Sequence, residues 1–229
     1  MTDYLLLILR GGLLTVSVSL LALALAIVLG LLGAAAKLSG QWLLKGLAAV
    51  YTTVIRGIPE LVLMLLVFYG GAIAANHLLE SMGSERTLDV DPFLAGVLTI
   101  GFIYGAYMTE VFRGAILSIP KGQAEAARAF GMSLPQTLLR IIVPQMVRYA
   151  LPGFTNNWLV LIKATALVSL IGLQEMTYLA KQASAATRSP FIFFLFTAAL
   201  FLLYTSVSLF LLRRLNQRYS LGVKRASLR

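Results

Sequence analysis

The chain has 229 residues, 59% of them apolar and only 12% charged, with a formal net charge of +10 and no cysteine. Ordinary soluble domains carry about 45–50% apolar and about 25% charged residues, so no soluble fold of this length has interior enough for the hydrocarbon. The missing cysteines exclude a secreted disulfide scaffold. Nucleic-acid binding is excluded because the bases lie in short stretches between apolar runs, not in a stripe interleaved with aromatics.

This is the composition of an integral membrane protein. About 20 apolar residues in a helix cross a hydrocarbon layer of about 30 Å, and only a helix satisfies the backbone of an open-ended segment there. The sequence therefore predicts an all-α integral membrane protein with five transmembrane helices, at about residues 11–36, 59–79, 92–112, 151–174 and 190–212, as one domain over 1–229. The first run is too long for the apolar region of a signal peptide, and its leader carries Asp3 with a single Arg10, so it is expected to be retained. The second opens at Glu60 and the third ends near Glu110. The fourth is interrupted by Asn156, Asn157 and Lys163, which should face protein or water. The fifth is rich in aromatics, among them Phe191, Phe193, Phe194, Phe196, Phe201 and Tyr204, and reads as lipid-facing bulk.

Charges between the spans set an orientation. Loop 37–56 carries Lys37, Lys45 and Arg56 without an acid, and loop 113–148 carries Arg113, Lys121, Arg128, Arg140 and Arg148 against Glu125. The tail adds Arg213, Arg214, Arg218, Lys224, Arg225 and Arg229, whereas loop 80–91 has Glu80, Glu85, Asp89 and Asp91 against Arg86. By the positive-inside rule the first and third loops and the tail are cytoplasmic, which puts the N-terminus outside. Loop 175–188, with Glu175, Lys181 and Arg188, is neutral in this test.

The third loop, about 118–148, has structure of its own. Residues 122–130 form a short Ala-rich segment suited to a helix, and Gly131 follows where a left-handed residue usually stops one. Ser133-Leu134-Pro135-Gln136 has the spacing of a capping box with proline in the first turn, opening a second helix to about Val143, with Pro144 marking an end or a kink. Two readings follow: an amphipathic helix lying on the headgroups, or a docking element for a soluble partner.

Glu125-Ala126-Ala127, then Gly131, then Ile141-Ile142-Val143-Pro144 resembles the EAA signature of ABC-type import permeases, with Val143 in place of leucine. Other segments resemble the polar amino acid permeases of the histidine/lysine/arginine/ornithine type. They are Ile55-Arg56-Gly57-Ile58-Pro59-Glu60, Tyr104-Gly105-Ala106-Tyr107-Met108-Thr109-Glu110 with Arg113-Gly114, and Leu161-Ile162-Lys163-Ala164-Thr165 with its continuation to Gly172. Ala164 stands where many members have aspartate. The resemblance implies a type I ABC importer permease in the bacterial inner membrane, with a cytoplasmic coupling-helix loop in which Glu125, Ala126, Ala127 and Gly131 meet a pair of ATP-binding subunits. It also implies a second, similar permease subunit, a periplasmic solute-binding protein and an amino acid substrate, while the composition implies the lipid bilayer.

Acids at membrane depth are costly and need an account. Glu110 stands three residues before Arg113, which suits either a local ion pair or a place on the substrate path. Glu60 is either a first-turn acid favoured by the helix dipole or a carboxylate that pairs with a cationic substrate. Basic-amino-acid permeases resemble this chain in having an acid there, which favours histidine, arginine, lysine or ornithine over opines or neutral polar amino acids. Lys163 meets an acid or backbone carbonyls at a subunit interface, or else a substrate carboxylate, and Asn157 is a further candidate for the path. His77 reads as an interfacial residue, not a metal ligand. No nucleophile elbow, zinc motif or phosphate-binding loop is present, so neither catalysis nor a cofactor is expected, and the free energy must come from a separate ATPase. A stand-alone secondary transporter or a mere anchor are the competing classes; five spans without an internal repeat argue against the first, and the docking loop against the second.

Overall fold

The computed structural model describes residues 1–83 and 89–219, so Glu85, Arg86, Lys224, Arg225 and Arg229 of the charge pattern lie outside the described residues. All regular structure within the described residues is helical. Among the described residues, five helices are long and apolar enough to cross a membrane: α1 (Thr2–Leu38), α3 (Glu60–Ser81), α4 (Pro92–Leu117), α6 (Leu134–Ile171) and α8 (Pro190–Tyr219). Three shorter ones join them: α2 (Trp42–Gly57), α5 (Lys121–Ala129) and α7 (Met176–Thr187).

The core is the pairing of α1 with α4, the most extensive contact in the chain. Lipid offers no hydrophobic drive between helices, so close approach of small residues must hold them. Gly30 of α1 faces Met108 of α4 so tightly that an added Cβ would stand 2.5 Å from the methionine Cβ. Gly105 of α4 in turn receives Leu29, where a Cβ would come within 2.8 Å of the leucine Cβ. Ala22, Ala26 and Ala34 continue this seam of fully buried small residues on α1. A second, smaller core gathers Ile8, Met176, Ala180, Ala183 and Phe193 from α1, α7 and α8.

Phe193 and Tyr204 of the fifth span, expected towards lipid, face protein instead, the first fully buried and the second bonded to Ser19, and three segments also differ from the sequence reading. Residues 42–57, expected as loop, form α2, whose Ala48, Thr52 and Ile55 face inward at helical spacing. The neutral loop 175–188 is mostly α7, packed on α1 and α8. The fourth helix begins at Leu134, well before the expected 151, and runs through Pro144. A proline lacks the N–H and crowds the carbonyl four residues back. Here a π turn at Leu138–Ile142 just ahead of it absorbs that misfit, so Pro144 ends nothing.

Candidate functional site

Two features gather the residues that the sequence singled out. The first is the loop around Glu125. The sequence of α5 is Lys-Gly-Gln-Ala-Glu-Ala-Ala-Arg-Ala, mostly good helix formers, and it stops at Gly131 with φ +77°. Gly131 N–H donates to the Arg128 carbonyl at 2.9 Å, and Met132 N–H to that of Ala127 at 3.0 Å. These two bonds are a Schellman cap, which needs a residue tolerant of the left-handed region at Gly131. Across the corner, Ser133 N–H donates to the Gln136 carboxamide at 2.9 Å, and the capping box opens α6. Ala127 is the one buried residue of α5, whereas Glu125 and Ala126 are exposed and Phe130 at the corner is 89% exposed. The segment is a short rigid helix joined to α4 on one side and α6 on the other, presenting a bare face outward.

The second feature is a run of polar groups along α4, at Tyr104, Tyr107, Glu110 and Arg113. The Tyr104 hydroxyl donates to Glu60 Oε1 at 2.9 Å, and its ring lies 5.7 Å from that of Tyr107. The Arg56 guanidinium stands over the Tyr107 ring, 5.2 Å from its centroid. Further along, the Glu110 carboxylate pairs with Lys37 of α1 and accepts from Arg113 Nε at 3.1 Å, and Lys37 also donates to Thr52 of α2. A cavity of about 470 Å³ opens beside this cluster, lined by Lys37, Thr52, Thr53, Arg56, Gly57, Tyr107 and Glu110. The local pair Glu110–Arg113 that the spacing allowed is therefore formed. Lys37, expected as a loop base, is 13% exposed and supplies the second cation.

The remaining candidates lie apart. Lys163 sits exposed in the last α turn before a 3₁₀ stretch at Thr165–Ile171, without an ion-pair partner among the described residues. Asn157 is half-buried one and a half turns earlier on α6. His77 Nδ1 is 3.7 Å from Glu80 at the exposed far end of α3.

Glu175 was counted in the sequence only as a charge of the neutral loop 175–188. It is fully buried at the start of α7, where its carboxylate accepts from Tyr178 N–H at 2.9 Å and from the Thr15 hydroxyl of α1 at 3.2 Å. Gly11 permits this approach, since a Cβ there would lie 3.1 Å from the Glu175 carbonyl carbon. Glu175 thus caps α7 and ties it to α1. An acid followed at the third position by a residue that continues an Ala-rich helix was the available signal.

Among the described residues, then, the chain is a five-helix membrane bundle with an exposed helical corner and a run of polar groups along α4. The family model for the binding-protein-dependent transport system inner membrane component matches residues 12–221, and the chain belongs to that family. It is 50% identical over 221 residues to the histidine/lysine/arginine/ornithine transport system permease protein HisQ of Salmonella typhimurium, covering 96% of each chain. It is 42% identical over 217 residues to the octopine transport system permease protein OccQ of Rhizobium radiobacter, covering 95% of this chain and 92% of the relative. Among solved structures, an amino acid ABC transporter crystallised with histidines superposes with a TM-score of 0.79 at 31% identity, over 95% of this chain and 96% of that one. The inward-facing MetNI methionine ABC transporter, at 18% identity and TM-score 0.68 over 98% of this chain, shares the fold. The protein is a multi-pass permease of the inner membrane.

Proposed function

We propose that this permease carries a cationic amino acid (histidine, arginine, lysine or ornithine) inward, driven by ATP hydrolysed on separate subunits that grip α5. The observation that carries the coupling half of this reading is the exposed helix Lys121–Ala129, capped by Gly131 and continuous with two spans. The chain has no G-x-x-x-x-G-K-[ST] loop to cradle phosphates, so the energy must enter through a contact. Glu125, Ala126 and Ala127 supply the contact helix, and Gly131 its rigid return. Closure of the ATPase pair moves α5, and α4 and α6 rock with it between two arrangements, ATP favouring one through differential contacts.

The substrate half rests on Glu60. Its carboxylate accepts from Tyr104 and has no cation beside it within the described residues, which suits a positively charged guest. The relatives named for histidine, lysine, arginine and ornithine support the same choice. The octopine relative keeps opines in view as the runner-up substrates. Glu110, Lys163 and Asn157 are the other residues we assign to the path. The basic end of the bundle, with Lys37, Lys121 and Arg213, is assigned to the cytoplasm, which puts the N-terminus in the periplasm. A second, similar permease covers a flank of the bundle, where α3 and α8 are both largely exposed in this chain. A solute-binding protein delivers the substrate from the periplasm.

The test is reconstitution of the permease pair, ATPase and binding protein in liposomes. Uptake of labelled arginine or histidine should require internal ATP and should fall with Glu60→Gln while the complex still assembles. Uptake by the permease alone, driven by an ion gradient, would refute the coupling, and unaltered uptake by Glu60→Gln would remove the substrate assignment.

A further inference from the structure

Arg56 and Glu60 are four residues apart, the spacing at which opposite charges on a continuous helix find one another. Here they do not. The chain leaves α2 at Ile58 (φ −107°, ψ 137°) and re-enters a helix after Pro59 (φ −57°, ψ 136°), so two extended residues separate the charges, and no ion pair within 4.0 Å joins them. Each then stands over its own ring on α4: Arg56 over Tyr107, and Glu60 at the hydroxyl of Tyr104. The next polar group, Glu110, cannot relieve Arg56, because Lys37 and Arg113 already occupy it. The lining of the 470 Å³ cavity holds Lys37 and Arg56 against that single, doubly engaged carboxylate. An unmatched cation is therefore left facing the cavity, and an unmatched anion lies one tyrosine spacing along α4.

From this geometry we infer that Arg56 is the anchor for the α-carboxylate of the transported amino acid, with Glu60 taking its cationic group. The inference rests on the reading of Glu60 given above and adds the second pole. A guanidinium presents a planar fork that matches a carboxylate with two parallel hydrogen bonds, and it keeps its charge at any depth. Tyr107, which lines the cavity between the poles, gives the aliphatic stem an aromatic surface to lie against. The break at Gly57–Pro59 has a role in this arrangement, since a straight helix would let Arg56 and Glu60 neutralise each other and leave nothing for the substrate. Carboxylate recognition also explains how one site serves several side chains, because the backbone end of an amino acid is common to all of them.

The experiment compares an amino acid with its decarboxylated amine on the permease–ATPase complex in nanodiscs, without binding protein, so that the delivery protein's selectivity does not enter. The probes are labelled L-arginine and agmatine, in equilibrium binding. Arg56→Gln should weaken L-arginine by about tenfold or more, as expected for a lost charge-assisted pair, and leave agmatine within about twofold. Arg56→Lys, which keeps the charge but not the fork, should fall between wild type and Arg56→Gln for L-arginine, and this variant guards against a mere folding defect. Glu60→Gln should weaken both probes. An L-arginine affinity untouched by Arg56→Gln overturns the inference, as does an equal loss of both probes or the absence of saturable L-arginine binding to the unmodified complex. A carboxylate-specific effect of Arg56→Gln together with a silent Glu60→Gln leaves the anchor standing and removes the cationic-pole reading alone.

Discussion

Replacing Glu110 by glutamine should unsettle the bundle more than removing either of its cations. The carboxylate serves Lys37 of α1 and Arg113 of its own helix, with side-chain exposures of 13% for Lys37, 22% for Glu110 and 39% for Arg113. Truncating one partner of a fully buried pair costs about 3–5 kcal/mol, because the other charge is left behind. An exposed pair of helical spacing is worth only about 0.3–0.5 kcal/mol. The Lys37 contact lies towards the first limit and the Arg113 contact towards the second, which gives about 3 kcal/mol for Glu110→Gln. Lys37→Met, which leaves Glu110 its arginine, should cost about 2 kcal/mol. For a chain of this length, about 2–4 °C of Tm accompanies each kcal/mol, so Glu110→Gln should lower the melting temperature by about 6–12 °C. The double variant should lose less than the sum of the two, with a coupling of about 1–2 kcal/mol, since the second change removes the stranded charge. Thermal melting of the purified complex, read from tryptophan fluorescence, measures all three. Strictly additive losses, or shifts of the single variants too small to resolve, would refute the claim that α1 and α4 are joined through this carboxylate.

Gly30→Leu should prevent α1 from seating on α4, because even the first carbon of the new side chain meets Met108 at 2.5 Å; little folded complex should survive detergent extraction, as judged by size-exclusion yield. Glu175→Ala removes the α7 cap and the bond to Thr15, and should cost about 1–2 kcal/mol, whereas Glu175→Asp should retain part of the cap; melting curves of the two variants separate these outcomes. Gly131→Val forces a β-branched residue towards φ +77° at a cost of about 1–3 kcal/mol, and binding-protein-stimulated ATP hydrolysis should fall while the ATPase subunits alone keep their basal rate.

The helix count was legible because four spans are long charge-free apolar runs and the other is long enough despite Asn156, Asn157 and Lys163, and the corner at Gly131 because cap chemistry is local. What escaped the sequence was set by partners distant in the chain. Residues 42–57 mix lysine, glycine and apolar residues and look like a loop, yet Ala48, Thr52 and Ile55 find α1 and α4 and fold inward as a helix. Lys37 looked like an orientation signal until α4 brought Glu110 to it. Glu175 lies between Gln174 and a segment with Lys181 and Gln182, polar enough to suggest solvent, but Gly11 and Thr15 of α1 make room for its carboxylate. The capping box marked the helix start at Leu134, but Arg140, Pro144 and Arg148 interrupt the run before residue 151 and hid that this helix continues into the fourth span. In the polar run, Glu60 and Glu110 were visible as acids at membrane depth. The partnership of Tyr104 with Glu60 and of Tyr107 with Arg56 was not, since nothing in the spacing of Tyr104 and Tyr107 says which helix they face.

The central claim is that α5 is the handle by which the ATPase drives the permease, and the natural absence of cysteine allows a direct test. Ala129→Cys adds one thiol at the exposed end of α5, and a bifunctional maleimide–photoreactive reagent on that thiol should attach the permease to the ATP-binding subunit in native membranes, with a yield that changes when ATP is trapped. Attachment elsewhere, a yield indifferent to nucleotide, or labelling of this thiol by a membrane-impermeant maleimide added to intact spheroplasts would contradict the account.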